Sequence, residues 1–271
     1  MTSLLRHTAL RVRYPLRFRM IQVARIEPVS PRMRRIIFTG DDLDGFTSGA
    51  ADDHVKLFFP LPGTDTPHLP TLVDGKPVHD PSAPVIMRDY TPRAFNPQTR
   101  ELAIEFVLHG DGPASGWAAQ AQPGQWLGMG GPRGSFLVPD TYGAYLLMGD
   151  ETALPAIARR LEDLPAGRKA LVMIEIADMQ EQRVLDTRAD ATIQWLPRNG
   201  TPAGQSDVLV QALRETTLPD VDLHAWVGAE IRTARALREC LMKEKGLARD
   251  QVRAAGYWRE GTPDGGARVE D

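Results

Sequence analysis

The apolar pattern changes period at Tyr142, and few folds accommodate both halves. Beyond that point short apolar runs alternate with amphipathic stretches. YLLMGD reads as a buried strand, TALPAIARRLEDL as a helix, and LVMIEIAD and TIQWLP as two further strands. DVLVQALRET reads as a second helix, HAWVGAE as a fourth strand, IRTARALRECLMKEKG as a helix ended by glycine, and VRAAGYW as a fifth strand. Such alternation builds a parallel, Rossmann-like sheet with helices on both faces. Before Tyr142 the runs are short, show little helical period and are punctuated by Gly and Pro. Phe18–Glu27, Arg34–Thr39, His54–Phe59, Arg88–Phe95, Glu101–Val107 and Gln125–Gly128 read as strands of an antiparallel Greek-key β barrel. Leu61–Pro84, rich in Pro, Gly and Asp, reads as a surface excursion between them. The expected organisation is β barrel plus α/β: a barrel domain over residues 1–140, an α/β domain over 141–260, and a disordered tail over 261–271.

Composition removes several classes of function. A single cysteine, Cys240, excludes a disulfide framework, a CxxC redox pair and a cysteine-held zinc or iron–sulfur centre. The histidines (7, 54, 68, 79, 109 and 224) show no HxH or HxxxH spacing, so no protein-bound metal is expected. No run of 18 apolar residues suits a membrane helix, and the N-terminal stretch lacks a signal-peptide core, so the expected compartment is the cytoplasm. Residues 1–35 carry nine Lys/Arg and one acid, Glu27, against a net charge of −3 for the whole chain. In RYPLRFRMIQVARI the arginines alternate with apolar residues, which fits a strand with one wet face and argues against nucleic-acid binding.

Two stretches carry recognisable chemistry. The first is Arg88-Asp89-Tyr90-Thr91-Pro92-Arg93. A flavin needs an aromatic or apolar wall, a hydroxyl or amide near its redox-active nitrogen, and a cation for its diphosphate. Arg88, Tyr90 and Thr91 supply all three within four residues, and Arg93 is a further cation. An ordinary strand with a solvated arginine face has the same composition. On one continuous strand Arg88, Tyr90 and Pro92 share a face, while Thr91 and Arg93 share the other. The second stretch runs from Glu101 through His109, Gly110, Gly112, Ala114, Ser115 and Trp117. A strand there enters a Gly-rich loop and a short helix, whose N-terminal amides suit a phosphate.

RDYTPR, EFVLHGDGPASGWAAQAQPGQWLGMGGPRGSF, MGDETALPAIARRLEDLP, WVGAE and GYWREG, in that order, resemble the siderophore-interacting family of flavin-dependent ferric-siderophore reductases, within the ferredoxin-reductase-like superfamily. The likeness runs from about Arg17 to Gly261. It implies an FAD-binding barrel with non-covalent FAD, an NAD(P)H-binding α/β domain, and iron release by reduction of Fe(III) to Fe(II). It places Arg88, Tyr90, Thr91, Arg93, His109, Gly110, Ala114, Ser115 and Trp117 at the flavin cofactor. It places Gly149, Asp150, Glu151, Thr152 and Ala153, with Trp226, Gly228 and Glu230, near the nicotinamide nucleotide. The loop after YLLMG is not GxGxxG, and its two acids disfavour a diphosphate. Core packing is an equal reading of Trp226.

The resemblance also places three bases, Lys56, Arg133 and Arg259, at an anionic ferric siderophore, where positive charge beside the flavin raises the local substrate concentration. Taken alone, Lys56 reads as a solvated lysine. Glu175 and Asp178 follow the second α/β strand and lean the coenzyme choice towards NADH over NADPH, although Arg183 and Arg198 lie close enough to reverse it. The expected molecule is a monomer. Two other readings stay open: a ferredoxin or flavodoxin reductase, with reduced ferredoxin as a possible electron donor in either case, and a siderophore carrier without redox chemistry.

Overall fold

The computed structural model describes residues 7–110, 112–262 and 267–268. The chain divides into two units: Arg11–Leu137, and Val138 onward together with the described residues up to Leu10.

The first unit holds β1 (Leu10–Arg13), β2 (Phe18–Ser30), β3 (Met33–Thr39), β4 (Val55–Phe59), β5 (Thr71–Val73), β6 (Lys76–Val78), β7 (Ile86–Tyr90), β8 (Pro92–Asn96), β9 (Glu101–Val107), α1 (Pro113–Gln120), β10 (Trp126–Gly130) and β11 (Gly134–Leu137). Seven strands form one sheet in the order β7-β4-β10-β2-β3-β9-β8, and every ladder is antiparallel. β7 and β8 are consecutive in the chain yet stand at the two outer edges. Tyr90 and Pro92 are separated by one residue, which limits their Cα atoms to roughly 7 Å. The sheet therefore curls until its edges meet at Thr91, giving a half-barrel. Ile21, Ile36, Phe38, Leu57, Leu102, Ile104, Phe106 and Leu127 fill it, with Ala114 and Ala118 of α1 joining the same core.

Two expectations change here. Arg88–Phe95 is not one strand: β7 ends at Tyr90 and β8 begins at Pro92, each on a different neighbour. Leu61–Pro84 is not wholly irregular either, since β5 and β6 form a hairpin. Its turn residues Asp74 and Gly75 have φ of 51° and 72°, the pair of left-handed residues that favours Asp-Gly in two-residue hairpins.

The second unit holds β12 (Ala144–Gly149), α2 (Leu154–Asp163), β13 (Lys169–Ile176), β14 (Asp190–Pro197), α3 (Val208–Glu215), β15 (Leu223–Glu230), α4 (Ile231–Glu239), β16 (Val252–Trp258) and β17 (Ala267–Arg268). The order is β14-β13-β12-β15-β16-β17, parallel throughout except for β17. Ala144, Leu146 and Met148 of β12 pack with α3 and α4. Tyr145 points to the other face, where Arg160 of α2 lies 4.8 Å from its ring centroid. The strand order reverses between β12 and β15, so their carboxyl ends form the switch point at which open parallel sheets bind ligands. Within the span expected as a tail, Ala267 and Arg268 pair with Gly256 and Ala255. Residues 263–266 and 269–271 lie outside the described residues. Among the described residues, no helix is long and apolar enough to cross a membrane.

Candidate functional site

Arg88, Tyr90 and Thr91 sit where the curled sheet closes on itself. Tyr90 ends β7 opposite Val55, Pro92 opens β8 opposite Ile104, and the buried Thr91 belongs to neither strand. The Tyr90 ring lies 4.4 Å from Phe106 and 6.4 Å from Phe59, centroid to centroid. Burial pushes its phenol well above the usual range, so it stays protonated and serves as a wall. Half-buried Arg88 donates from Nη1 to the Met87 carbonyl at 2.6 Å. Arg93 is committed elsewhere: its largely buried guanidinium stands 3.7 Å from Glu105, which Arg35 also binds at 2.7 Å.

The second stretch comes to the same place. Trp117 of α1 packs on Phe59 at 5.6 Å and Phe106 at 5.9 Å, so two rings touch both Tyr90 and Trp117. Buried Ser115 accepts a hydrogen bond from the His109 backbone N–H at 2.8 Å, which ties the loop to the first turn of α1. Ala114 is buried beside it. Gly112 is the N-cap, Pro113 opens the helix, and among the described residues no side chain caps it. Gly110 takes φ of +48°, and a Cβ at Gly110 or Gly116 would meet nothing within 4 Å. The seam thus offers a guanidinium, a helix N-terminus, a hydroxyl and an aromatic wall. That donor set fits a flavin dinucleotide: cation and amides for the diphosphate, rings and hydroxyl for the isoalloxazine.

Of the three bases, the first unit holds two. Lys56 of β4 stands opposite Gly130 on one side and Asp89 on the other, and its Nζ is 2.9 Å from the Asp89 carboxylate. Exposed Arg133 follows Gly130 by three residues, after a cis Gly131–Pro132 bond. Arg259 is exposed and belongs to the second unit. Sequence reasoning overlooked the groups that brace Arg133. Arg19 is buried and donates to the Gly131 carbonyl and the Asp42 carbonyl, each at 3.0 Å. Buried Asp53 accepts from Ser135 at 2.6 Å and from Ser48 at 3.0 Å. Period two along β2 places Arg19 on the face of Ile21 and Val23, a signal that it is buried and partnered.

At the sheet edge of the second unit, the predicted residues are engaged with one another. A Cβ on Gly149 would lie 2.4 Å from the Gly228 carbonyl oxygen, and one on Gly228 would lie 2.7 Å from Trp226. These glycines let β12, β15 and Ala153 approach closely, and buried Trp226 packs edge-on against Tyr257. Asp150 is buried; its oxygens accept from the Thr152 backbone and hydroxyl, the Glu230 backbone and the Trp258 indole. Burial first, and then Glu151, raises its pKa. Glu230 accepts from the Arg232 and Thr233 amides and so caps α4. Arg198 bridges Glu151 at 2.8 Å and Glu175 at 3.3 Å. Burial and the nearby Asp150 push Glu175 up to about 7. Glu175 therefore faces an arginine of its own unit, and one oxygen of Asp178 accepts from the Gln180 amide.

Several known proteins are similar to this chain. The siderophore-interacting FAD-binding domain family matches residues 22–136, and the siderophore-interacting protein family matches residues 142–261. The chain is 38% identical over 252 residues to the NADPH-dependent ferric-chelate reductase of Escherichia coli, covering 92% of this chain and 95% of that one. It is 34% identical over 246 residues to the ferric vibriobactin reductase ViuB of Vibrio cholerae, covering 90% of each. The crystal structure of a siderophore utilization protein from T. fusca superposes with a TM-score of 0.89 at 40% identity, covering 97% of this chain and 99% of that one. With both halves matched in order along almost its whole length, the chain belongs to the siderophore-interacting protein family, and its first half is the family's FAD-binding domain.

Proposed function

We propose that this chain is an FAD-dependent reductase that releases iron from ferric siderophores, with NADPH as electron donor. The observation that carries the reading is the meeting of RDYT with α1 across Phe59 and Phe106. Bound FAD supplies the conversion of one two-electron donation by the nicotinamide into two single-electron steps to iron. Arg88 and the N-terminus of α1 hold the diphosphate. Tyr90 and Thr91 border the ring system, and Trp117 anchors α1 beside it. Lys56, Arg133 and Arg259 attract the anionic chelate; at an effective dielectric of about 20, one unit charge at roughly 4 Å interacts by about 4 kcal/mol before desolvation. No group is needed to move a proton at the iron, because ferrous iron leaves hard oxygen donors once reduced. NADPH is chosen because the E. coli relative is named for it and the acid expected to disfavour a 2′-phosphate is occupied by Arg198. The protein works in this reading as a cytoplasmic monomer.

An anaerobic absorbance experiment tests this. The purified protein is expected to retain FAD, to bleach near 450 nm with NADPH, and to regain its absorbance when a ferric siderophore is added. Bleaching by reduced ferredoxin but not by NADPH transfers the donor role to a protein. A colourless protein that binds siderophore without turnover is a carrier and refutes the proposal.

A further inference from the structure

Arg259 stands between two residues that are anchored to buried carboxylates. On one side, the Trp258 indole N–H donates to Asp150 Oδ2 at 2.8 Å. On the other, the Glu260 backbone N–H donates to Glu230 Oε1 at 3.3 Å, and the Glu260 carboxylate accepts from Gln205 at 2.6 Å and from Arg232. The Trp258 ring is seated as firmly as its N–H: a Cβ on Gly204 would lie 3.0 Å from that ring and 3.1 Å from Cγ of Glu230. Arg259 itself is exposed, at a backbone bridge to Thr262.

Asp150 links this turn to the rest of the sheet edge. Its Oδ1 accepts from Thr152 N at 2.9 Å and Thr152 Oγ1 at 2.5 Å, and its Oδ2 from Glu230 N at 3.0 Å as well as Trp258. All four partners are donors, so both oxygens are required, and an amide nitrogen in either place would face an N–H or O–H. The carboxylate is therefore specific for this arrangement and has no acceptor capacity directed elsewhere.

We propose that Asp150 is a positioning residue for substrate: through Trp258 it fixes the turn that presents Arg259 to an anionic ferric chelate. The inference rests on the reading of Arg259 as a substrate contact. A guanidinium on an immobilised turn loses less freedom on meeting an anion than one on a mobile tail, so affinity is gained without an added contact.

The test uses the FAD-loaded full chain with NADPH and two probes, a trianionic ferric tris(catecholate) and a neutral ferric tris(hydroxamate). Trp258→Phe removes the indole N–H together with the outer ring atoms that rest on Gly204, whereas Asp150→Asn keeps the indole and puts an amide N–H against donors on one side of the carboxylate. Each is expected to raise KM for the anionic chelate by about five-fold with KM for the neutral chelate within about two-fold, and Trp258→Phe to leave kcat and KM for NADPH within about two-fold. The Trp258 indole N–H resonance, identified by its loss in Trp258→Phe, is expected to move upfield in Asp150→Asn. Arg259→Ala alone is expected to match these losses, and Trp258→Phe with Arg259→Ala to lose no more than Arg259→Ala. If Arg259→Ala leaves the anionic chelate unaffected, the substrate reading itself fails. If Arg259→Ala acts and Trp258→Phe leaves KM unchanged, or multiplies the loss fully, the positioning role is wrong. An equal rise in KM for NADPH overturns it as well, by assigning the network to the coenzyme loop. Should Asp150→Asn not fold, Trp258→Phe decides alone.

Discussion

Replacing Glu175 by Gln isolates one buried charge whose cost follows from its surroundings. Glu175 is the penultimate residue of β13, is 4% exposed, and shares one guanidinium, Arg198, with Glu151. Asp150 adds a further carboxylate nearby, and burial with this repulsion raises Glu175 from the ordinary 4.5 to about 7. A raised acid favours the folded state below its unfolded pKa, and that stability is lost as pH rises through the folded value. Linkage between 4.5 and about 7 gives a loss on the order of 3 kcal/mol over the full range. About 2 kcal/mol of it falls between pH 5.5 and pH 8. Urea unfolding of parent and Glu175→Gln, followed by tryptophan fluorescence at those two pH values, reads the difference. The variant is expected to gain about 2 kcal/mol relative to the parent on going from the lower to the higher pH. Parallel pH dependence in the two proteins would show that Arg198 keeps Glu175 ionised at ordinary cost, and the electrostatic reasoning would be wrong.

Three further outcomes are expected. Arg88→Ala should weaken FAD retention by about 1.5–3 kcal/mol, read as a higher dissociation constant in flavin fluorescence titrations; unchanged affinity removes RDYTPR from the cofactor. Neutralising Lys56, Arg133 or Arg259 singly should raise KM for an anionic ferric chelate about five-fold at low salt, and much less for a neutral one or at high salt. Equal losses for both chelates would assign these residues to the flavin pocket or the fold. Gly228→Ala forces a Cβ to within 2.7 Å of Trp226 and 3.1 Å of the Ala153 Cβ, and should destabilise by about 1–3 kcal/mol in thermal melts; an unchanged Tm would mean that β12 and β15 separate easily.

Much of this was legible in the chain. Glu101–Val107 and Val252–Trp258 occupy the strands expected of them, residue for residue, because each is a short run carrying β-branched and aromatic residues. The switch at Thr91 was not legible, since a strand that continues and a strand that crosses to the far edge share the same local pattern; Pro92 was the one hint. The β5–β6 hairpin did carry a signal, Asp74-Gly75 between apolar residues, which the surrounding prolines obscured. At the site, residue types offered Arg88, Tyr90 and Thr91 as candidate flavin contacts, but an ordinary strand with a solvated arginine face has the same composition. The Asp150–Trp258 bond spans 108 residues and the Arg198–Glu151 pair 47. Partners that far apart are joined only by the sheet, so sequence could offer Asp150 and Glu230 as candidates for a ligand but not reveal that protein donors fill them.

Electron stoichiometry tests the proposed reaction most directly. FAD-loaded protein is supplied anaerobically with limiting NADPH and excess ferric siderophore, and the ferrous iron is trapped by a chromogenic chelator. A hydride carries two electrons and each iron accepts one, so about two ferrous ions should appear per NADPH consumed, and none from protein stripped of FAD. NADPH consumption without ferrous iron, or iron reduction that persists without FAD, would contradict a flavin-dependent ferric-siderophore reductase.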